Sequence, residues 1–222
     1  MKPHYVLLAF TAILFSANAV AQDKEFELLL VPSLTNIRGN DLLGENNEAA
    51  FRFSAGVGYN YLFQNRYFIK GALMYENKGV NGKTDLRDAN NVSVGAIEYH
   101  SHFNYITVPL QYGRRFGTKT NFDVAIGAYA GYLIQDNIEI TSRDLDVKQT
   151  NTGFYKKFDY GLVGSAAAYF PIRKGLSIKA GLQYSFGLAE IADNERFNDF
   201  SVKNNSLGLQ LGLNVRLHSA AN

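Results

Sequence analysis

The chain has 222 residues with 22 Lys and Arg against 20 Asp and Glu, a near balance that supplies no net field for nucleic acid or acidic substrates. Cysteine is absent, which excludes disulfides, thiolate chemistry, cysteine-based metal sites and a lipid-modified N-terminal cysteine. Tryptophan is also absent, yet aromatics reach 14% as Tyr and Phe alongside 20 glycines, a mixture that in an exported chain points to many strands.

Residues 1–21 read as a signal peptide. Lys2 gives a positive start, VLLAFTAILFSANAV an apolar middle, and Ala19-Val20-Ala21 a small-x-small cleavage site before Gln22. Removal of Lys2 leaves the charge balance almost unchanged. The remainder, 22–222, is expected to form one domain of strands. Side chains on a strand alternate between two faces, and period-two alternation recurs in eight segments. They are FELLLVPSL from Phe26, FRFSAGVGYNYLF from Phe51, RYFIKGALMYEN from Arg66, YITVPLQYGRR from Tyr105, NFDVAIGAYAGYLI from Asn121, FDYGLVGSAAAYF from Phe158, SIKAGLQYSFGL from Ser177 and NSLGLQLGLNVRL from Asn205. In the last, Leu207, Leu209, Leu211, Leu213, Val215 and Leu217 share one face, opposite Ser206, Gly208, Gln210, Gly212, Asn214 and Arg216.

The connections alternate in length. Gln64-Asn65, Gly117 to Thr120 and Pro171 to Lys174 are tight turns, whereas Thr35 to Ala50, Lys78 to His100, Gln135 to Lys157 and Ala189 to Lys203 are long and polar. A soluble sandwich has no reason to sort its loops in this way. The expected fold is therefore all-β, an eight-stranded antiparallel up-and-down transmembrane β-barrel of the outer membrane, with short periplasmic turns, longer external loops and both termini periplasmic. Aromatic placement supports that register, because amphipathic rings collect at membrane interfaces. Outward positions at the short-turn ends are Phe26, Tyr61, Phe63, Tyr67, Tyr112, Phe122 and Phe170. Those at the other ends include Phe51, Phe53, Tyr75, Tyr132, Phe158, Tyr160, Tyr184 and Phe186.

The inward set carries Glu27, Arg52, Lys70, Glu76, Asp123, Asp159, Lys179 and Arg216. Eight strands enclose just enough room for side chains, so these groups are expected to form a structural polar network in a filled lumen, with neither catalysis nor conduction. A small-ligand site in the barrel mouth is the alternative. Two further constellations hold chemistry-bearing residue types. Glu98, His100 and His102 fall two apart, which would align a carboxylate and two imidazoles on one side of a strand, the start of a metal site; a solvated strand extension has the same pattern. Ser101 with either histidine and Asp85 or Asp88 has the residue types of a hydrolase triad. Asp144 and Asp146 lack calcium-loop spacing, and no phosphate-binding glycine loop, nucleophile elbow or dinucleotide fingerprint appears.

A signal peptide, eight barrel strands, the segments YITVPLQYG and AIGAYAGYLI, and the closing NSLGLQLGLNVRL together resemble the PorT-like outer-membrane β-barrel proteins of Bacteroidetes. The resemblance implies an outer-membrane location and, for the family's namesake, a role in protein secretion to the cell surface. Its motifs belong to the barrel and not to an active site. The ending LHSAAN departs from a common outer-membrane pattern by lacking a terminal aromatic residue. The sequence thus leads to a non-enzymatic monomer without cofactor or metal, serving envelope structure, surface binding or secretion. Its partners are outer-membrane lipid and a surface or secretion-machinery protein held by the second and third external loops, where Tyr99 and Tyr155 sit among charges. A loop-borne hydrolase acting on lipid or peptide is the runner-up. A lipocalin-type carrier is disfavoured by the missing tryptophan.

Overall fold

The computed structural model describes residues 24–39, 47–63, 66–87, 93–142, 146–151, 153–193 and 201–217. The expected signal peptide, Asp88 and Asp144 lie outside these residues. The strands are β1 (Lys24–Gly39), β2 (Asn47–Phe63), β3 (Tyr67–Arg87), β4 (Ser93–Phe116), β5 (Asn121–Thr141), β6 (Asp146–Thr150), β7 (Phe158–Arg173), β8 (Leu176–Gly187) and β9 (Val202–Leu217). Eight of them close a ring in the order β1-β2-β3-β4-β5-β7-β8-β9, with β9 pairing back to β1; β6 is an outlier that, among the described residues, pairs only with β5.

The alternation read from sequence sets which way each side chain turns. In β9, Leu207, Leu209, Leu211, Leu213, Val215 and Leu217 are exposed on the outside, while Gly208, Gln210 and Asn214 are buried within. The other barrel strands repeat this arrangement, so the ring is apolar outside and polar inside, the reverse of a soluble barrel. Pro171 lies near the end of β7, next to a turn, and two further prolines sit deeper in the wall. Pro32 faces Phe53 in β2, but the β1–β9 ladder is interrupted there; Pro109 faces Tyr129 in β5, but the β3–β4 ladder is interrupted there. Each gap falls where a missing N–H would have donated. Near the short-turn end, Gly113 lies opposite Phe68, and a Cβ there would come within 2.3 Å of the ring, so glycine gives the fully buried Phe68 its space across the lumen.

The β4–β5 turn falls at Gly117 to Thr120 as expected, the β7–β8 turn is tighter than expected at Lys174 and Gly175 because β7 runs on to Arg173, and the expected turn Gln64-Asn65 lies outside the described residues; the long connections differ. Lys78 to His100, expected as a loop, is mostly β3 and β4 running on as a paired hairpin from Lys78↔Phe103 up to Arg87↔Ser93. Gln135 to Lys157 likewise contains the end of β5 and all of β6, paired from Asn137↔Thr150 to Thr141↔Asp146. Past the outward apolar stripe these strands carry apolar residues such as Val80, Ile97, Ile138 and Ile140 too sparsely among polar ones to give a long two-sided signature, and cross-strand pairs such as Lys83 with Glu98 help to hold them. The fourth connection turns inward: Ala189, Ile191 and Ala192 are buried over the barrel mouth.

Candidate functional site

The interior is built in three tiers, each assembled by residues from strands far apart in sequence. At the short-turn end Arg115 of β4 is the hub. Its guanidinium donates to both oxygens of Glu25 from β1 at 2.7 and 2.9 Å, and to both of Asp123 from β5 at 2.7 and 2.8 Å. Glu25 also accepts from Asn214 at 3.1 Å and from Arg216 Nε at 2.8 Å, both on β9. Two bidentate contacts on one planar fork hold both carboxylates in place and satisfy most of their lone pairs, the condition on which a buried ion pair is tolerated.

The middle tier centres on Glu27. Its carboxylate accepts from Lys179 Nζ at 2.8 Å, Tyr169 OH at 2.6 Å and Asn60 Nδ2 at 2.8 Å. Lys70 lies beside it but donates to Ser165 Oγ at 2.7 Å. The upper tier centres on Lys78, which reaches Asp159 at 3.0 Å and Glu76 at 3.3 Å while its ammonium lies 4.3 Å from the centre of the Tyr129 ring. Asp159 accepts further bonds from Asn204 at 3.0 Å and Tyr129 at 3.3 Å. Across the tiers the cations Lys70, Lys78, Lys179, Arg115 and Arg216 meet the carboxylates Glu25, Glu27, Glu76, Asp123 and Asp159, five against five.

Little space remains between them. One cavity of about 20 Å³ lies among Glu27, Asn60, Lys70, Gln111, Lys179 and Gln210, and one of about 10 Å³ among Ser33, Thr35, Glu76, Lys78 and Ser206. Gln183 lines both. Each has room for about one water and for no organic ligand. Above the upper tier the mouth is filled by Phe103, Tyr105, Leu133 and Val202 packed with the inturned Ala189, Ile191 and Ala192, and Tyr155 meets the Phe103 ring edge-on at 4.5 Å between centroids. Burial pushes the Tyr155 phenol up to about 12. Glu190 anchors this lid by accepting from Ser201 Oγ at 2.6 Å and from the Val202 backbone.

Of the residues singled out in the sequence, Glu27, Glu76, Asp123, Asp159, Lys179 and Arg216 enter these ion pairs, and Lys70 is buried among them. Arg52 does not. It sits nearer the rim and donates to the carbonyls of Phe51 and Ser101 and to Asn81, because alternation gives the face a residue takes but not its height in the barrel. The inward set read from sequence lacks Glu25, Arg115 and Lys78. Lys78 falls in an expected loop and Glu25 one residue before the first expected strand, though both are in phase with the inward residues Glu76 and Glu27.

The outward rings Tyr61, Phe63, Tyr67, Tyr112, Phe122 and Phe170 lie toward the short turns, and Tyr75, Tyr132, Tyr160, Tyr184 and Phe186 toward the other end. In the first group Tyr67 stacks on Tyr112 at 6.1 Å and on Phe63 at 6.2 Å. The histidine cluster is taken apart by other bonds: Glu98 pairs with Lys83 at 2.8 Å, and His100 Nδ1 contacts Asn81 Oδ1 at 3.0 Å. Burial, helped by Arg52, holds His102 below the usual imidazole value. Among the described residues no group of three His, Cys, Asp or Glu is placed to hold a metal ion. Ser101 is buried, and as a strand neighbour of both histidines it faces the opposite side of β4, so the triad does not assemble.

Residues 16–193 match a family model described as outer membrane protein beta-barrel domain. Among solved structures, a major outer membrane protein from Thermus thermophilus aligns with a TM-score of 0.53 at 12% identity, over 87% of this chain and 99% of that one. The attachment invasion locus protein Ail of Yersinia pestis aligns at 0.46 with 13% identity, over 89% and 100%. OprG from Pseudomonas aeruginosa aligns at 0.44 with 12% identity, over 90% and 97%. No match was found among curated protein sequences.

Proposed function

Because this chain belongs to the outer membrane protein beta-barrel domain family, we propose that it is a non-enzymatic, non-conducting barrel that presents its long hairpins to a protein partner at the cell surface. The observation that carries this reading is the filled interior. Three tiers of ion pairs beneath an apolar lid leave water-sized spaces, so neither a channel nor a barrel-mouth ligand has room, and specific recognition falls to what projects beyond the ring. Among the described residues, the β3–β4 hairpin and the β5–β6 hairpin extend one sheet above the mouth. In this reading the signal peptide 1–21 is removed, the short turns and both termini are periplasmic, and the two groups of outward rings mark the membrane interfaces. The lumen network is structural, and the barrel acts as a monomer in outer-membrane lipid. The PorT-like resemblance favours a partner drawn from protein secretion.

The test trims the hairpins at paired positions. Residues 83–98, between Gly82 and Tyr99, and residues 139–148, between Ile138 and Gln149, are each replaced by Asn-Gly. The trimmed barrel is expected to fold, giving heat-modified gel migration, and to lose the partner that surface crosslinking recovers with the intact protein. Capture of the same partner by the trimmed barrel would place recognition in the wall or the short turns and overturn the reading.

A further inference from the structure

Charges at the short-turn end are sorted by sign. Exposed there are Lys24 at the start of β1, Arg66 in the β2–β3 turn, Arg114 near the end of β4, Lys119 in the β4–β5 turn, and Arg173 and Lys174 at the β7–β8 turn. The carboxylates of the same end among the described residues, Glu25 and Asp123, are only 1% and 3% exposed and are bound inside by Arg115 and Arg216. Among the described residues none of the six exposed cations has an ion-pair partner. The other end is different: exposed charges there carry both signs and pair, as Lys83 does with Glu98 and Lys148 with Glu139. A structural origin for the lumen pairs does not require that the exposed charges of this rim, among the described residues, be cations alone.

Position adds to charge. Arg114 points outward, with its guanidinium 5.4 Å from the centre of the Tyr67 ring and 5.2 Å from that of Phe116. These rings continue the outward cluster of Phe63, Tyr67 and Tyr112, at the level where aromatic side chains meet lipid headgroups. Lys24 stands in register with Tyr61 on one side and Leu217 on the other. A guanidinium held on a ring face keeps its N–H edges free, and those edges match a phosphate in bidentate geometry. The cations are distributed over three turns and the adjoining ends of β1, β4 and β7, so the ring of charge surrounds the barrel instead of forming one pocket.

We propose that this rim binds the phosphate headgroups of anionic phospholipids in the leaflet it faces. The proposal rests on the membrane placement given above. Continuity with the lipid-facing wall selects a lipid, and the unbalanced positive charge selects an anionic one, since a zwitterionic headgroup carries its own compensating cation.

Spin-labelled phosphatidylglycerol and phosphatidylcholine, added separately to phosphatidylcholine bilayers holding the full barrel, measure the preference directly. The fraction of motionally restricted label is expected to give roughly fivefold stronger association for phosphatidylglycerol at low salt. That preference should fall toward one in about 1 M salt, where charges are screened within a few ångströms. It should also fall toward one in the sixfold variant Lys24→Gln, Arg66→Gln, Arg114→Gln, Lys119→Gln, Arg173→Gln and Lys174→Gln. A variant with Lys83→Gln, Lys148→Gln, Lys156→Gln and Lys157→Gln, at the opposite end, should keep it. Equal association of the two lipids, or a preference that survives in the sixfold variant, overturns the proposal. Sedimentation with purified peptidoglycan that is lost in the sixfold variant, without any phospholipid preference, would assign the ring to the cell wall and equally overturn it. A failure of the membrane placement has its own signature, the absence of any restricted lipid component.

Discussion

Arg115 compensates Glu25 and Asp123 at once, so its removal strands two buried carboxylates. Arg115→Met is expected to lower barrel stability by about 3–5 kcal/mol, read from urea unfolding in lipid vesicles. Removing the group together, with Glu25→Leu and Asp123→Leu added, should return much of that loss, because an ion pair and its apolar replacement differ far less than an ion pair and a lone buried charge. A triple variant as unstable as the single one would show that the site depends on shape and not on charge. This hub was only partly legible. Alternation marks Asp123 as inward, but a residue such as Glu25 lies before the FELLL stripe that announces its strand. Height is equally hidden, which is why Arg52, correctly placed on the inner side, turns out to bond backbone near the rim.

At the scale of the strand, the outward stripe predicts a contrast between two substitutions. Leu211→Arg puts a charge on the outside of β9 near mid-strand and should cost about 2–4 kcal/mol, whereas Gln149→Arg on the exposed β6 should change stability by a few tenths. Heat-modified gel migration after folding into vesicles compares them, and equal stabilities would contradict the assigned outer face. Strands with one apolar face were legible over their whole buried length. The extensions of β3, β4 and β5 were not, because above the barrel apolar residues such as Val80, Ile97, Ile138 and Ile140 are too few among polar ones for period two to form a recognisable stripe. The lid was hidden for the opposite reason: Ala189, Ile191 and Ala192 are apolar residues in a short non-strand segment, with no period to reveal that they turn inward.

For the whole molecule, the eightfold ring followed from the strict alternation of long and short connections and from the two sets of outward rings, features that need no side-chain detail. Purified protein in planar bilayers is expected to give no steady single-channel conductance. Ile191→Asp should loosen the lid without changing that result, since the tiers around Lys78, Glu27 and Arg115 still fill the path beneath it. Uniform channels from either protein would contradict the filled interior. The partner-binding surface was the least legible feature: hairpins that recognise proteins do so by shape and by scattered polar contacts, for which no spacing of residue types is diagnostic.

The seam where β9 meets β1 carries a further consequence for assembly. Arg216 and Asn214 reach Glu25 across 191 and 189 residues of sequence, so these bonds cannot exist until the final strand arrives and the ring shuts. A one-residue slip of β9 would turn Arg216 out toward lipid and swing an aliphatic side chain onto the Glu25 carboxylate. The energy of the correct closure is therefore withheld until the register is right. The seam acts as a checkpoint that distinguishes a completed barrel from one shut a residue out of step.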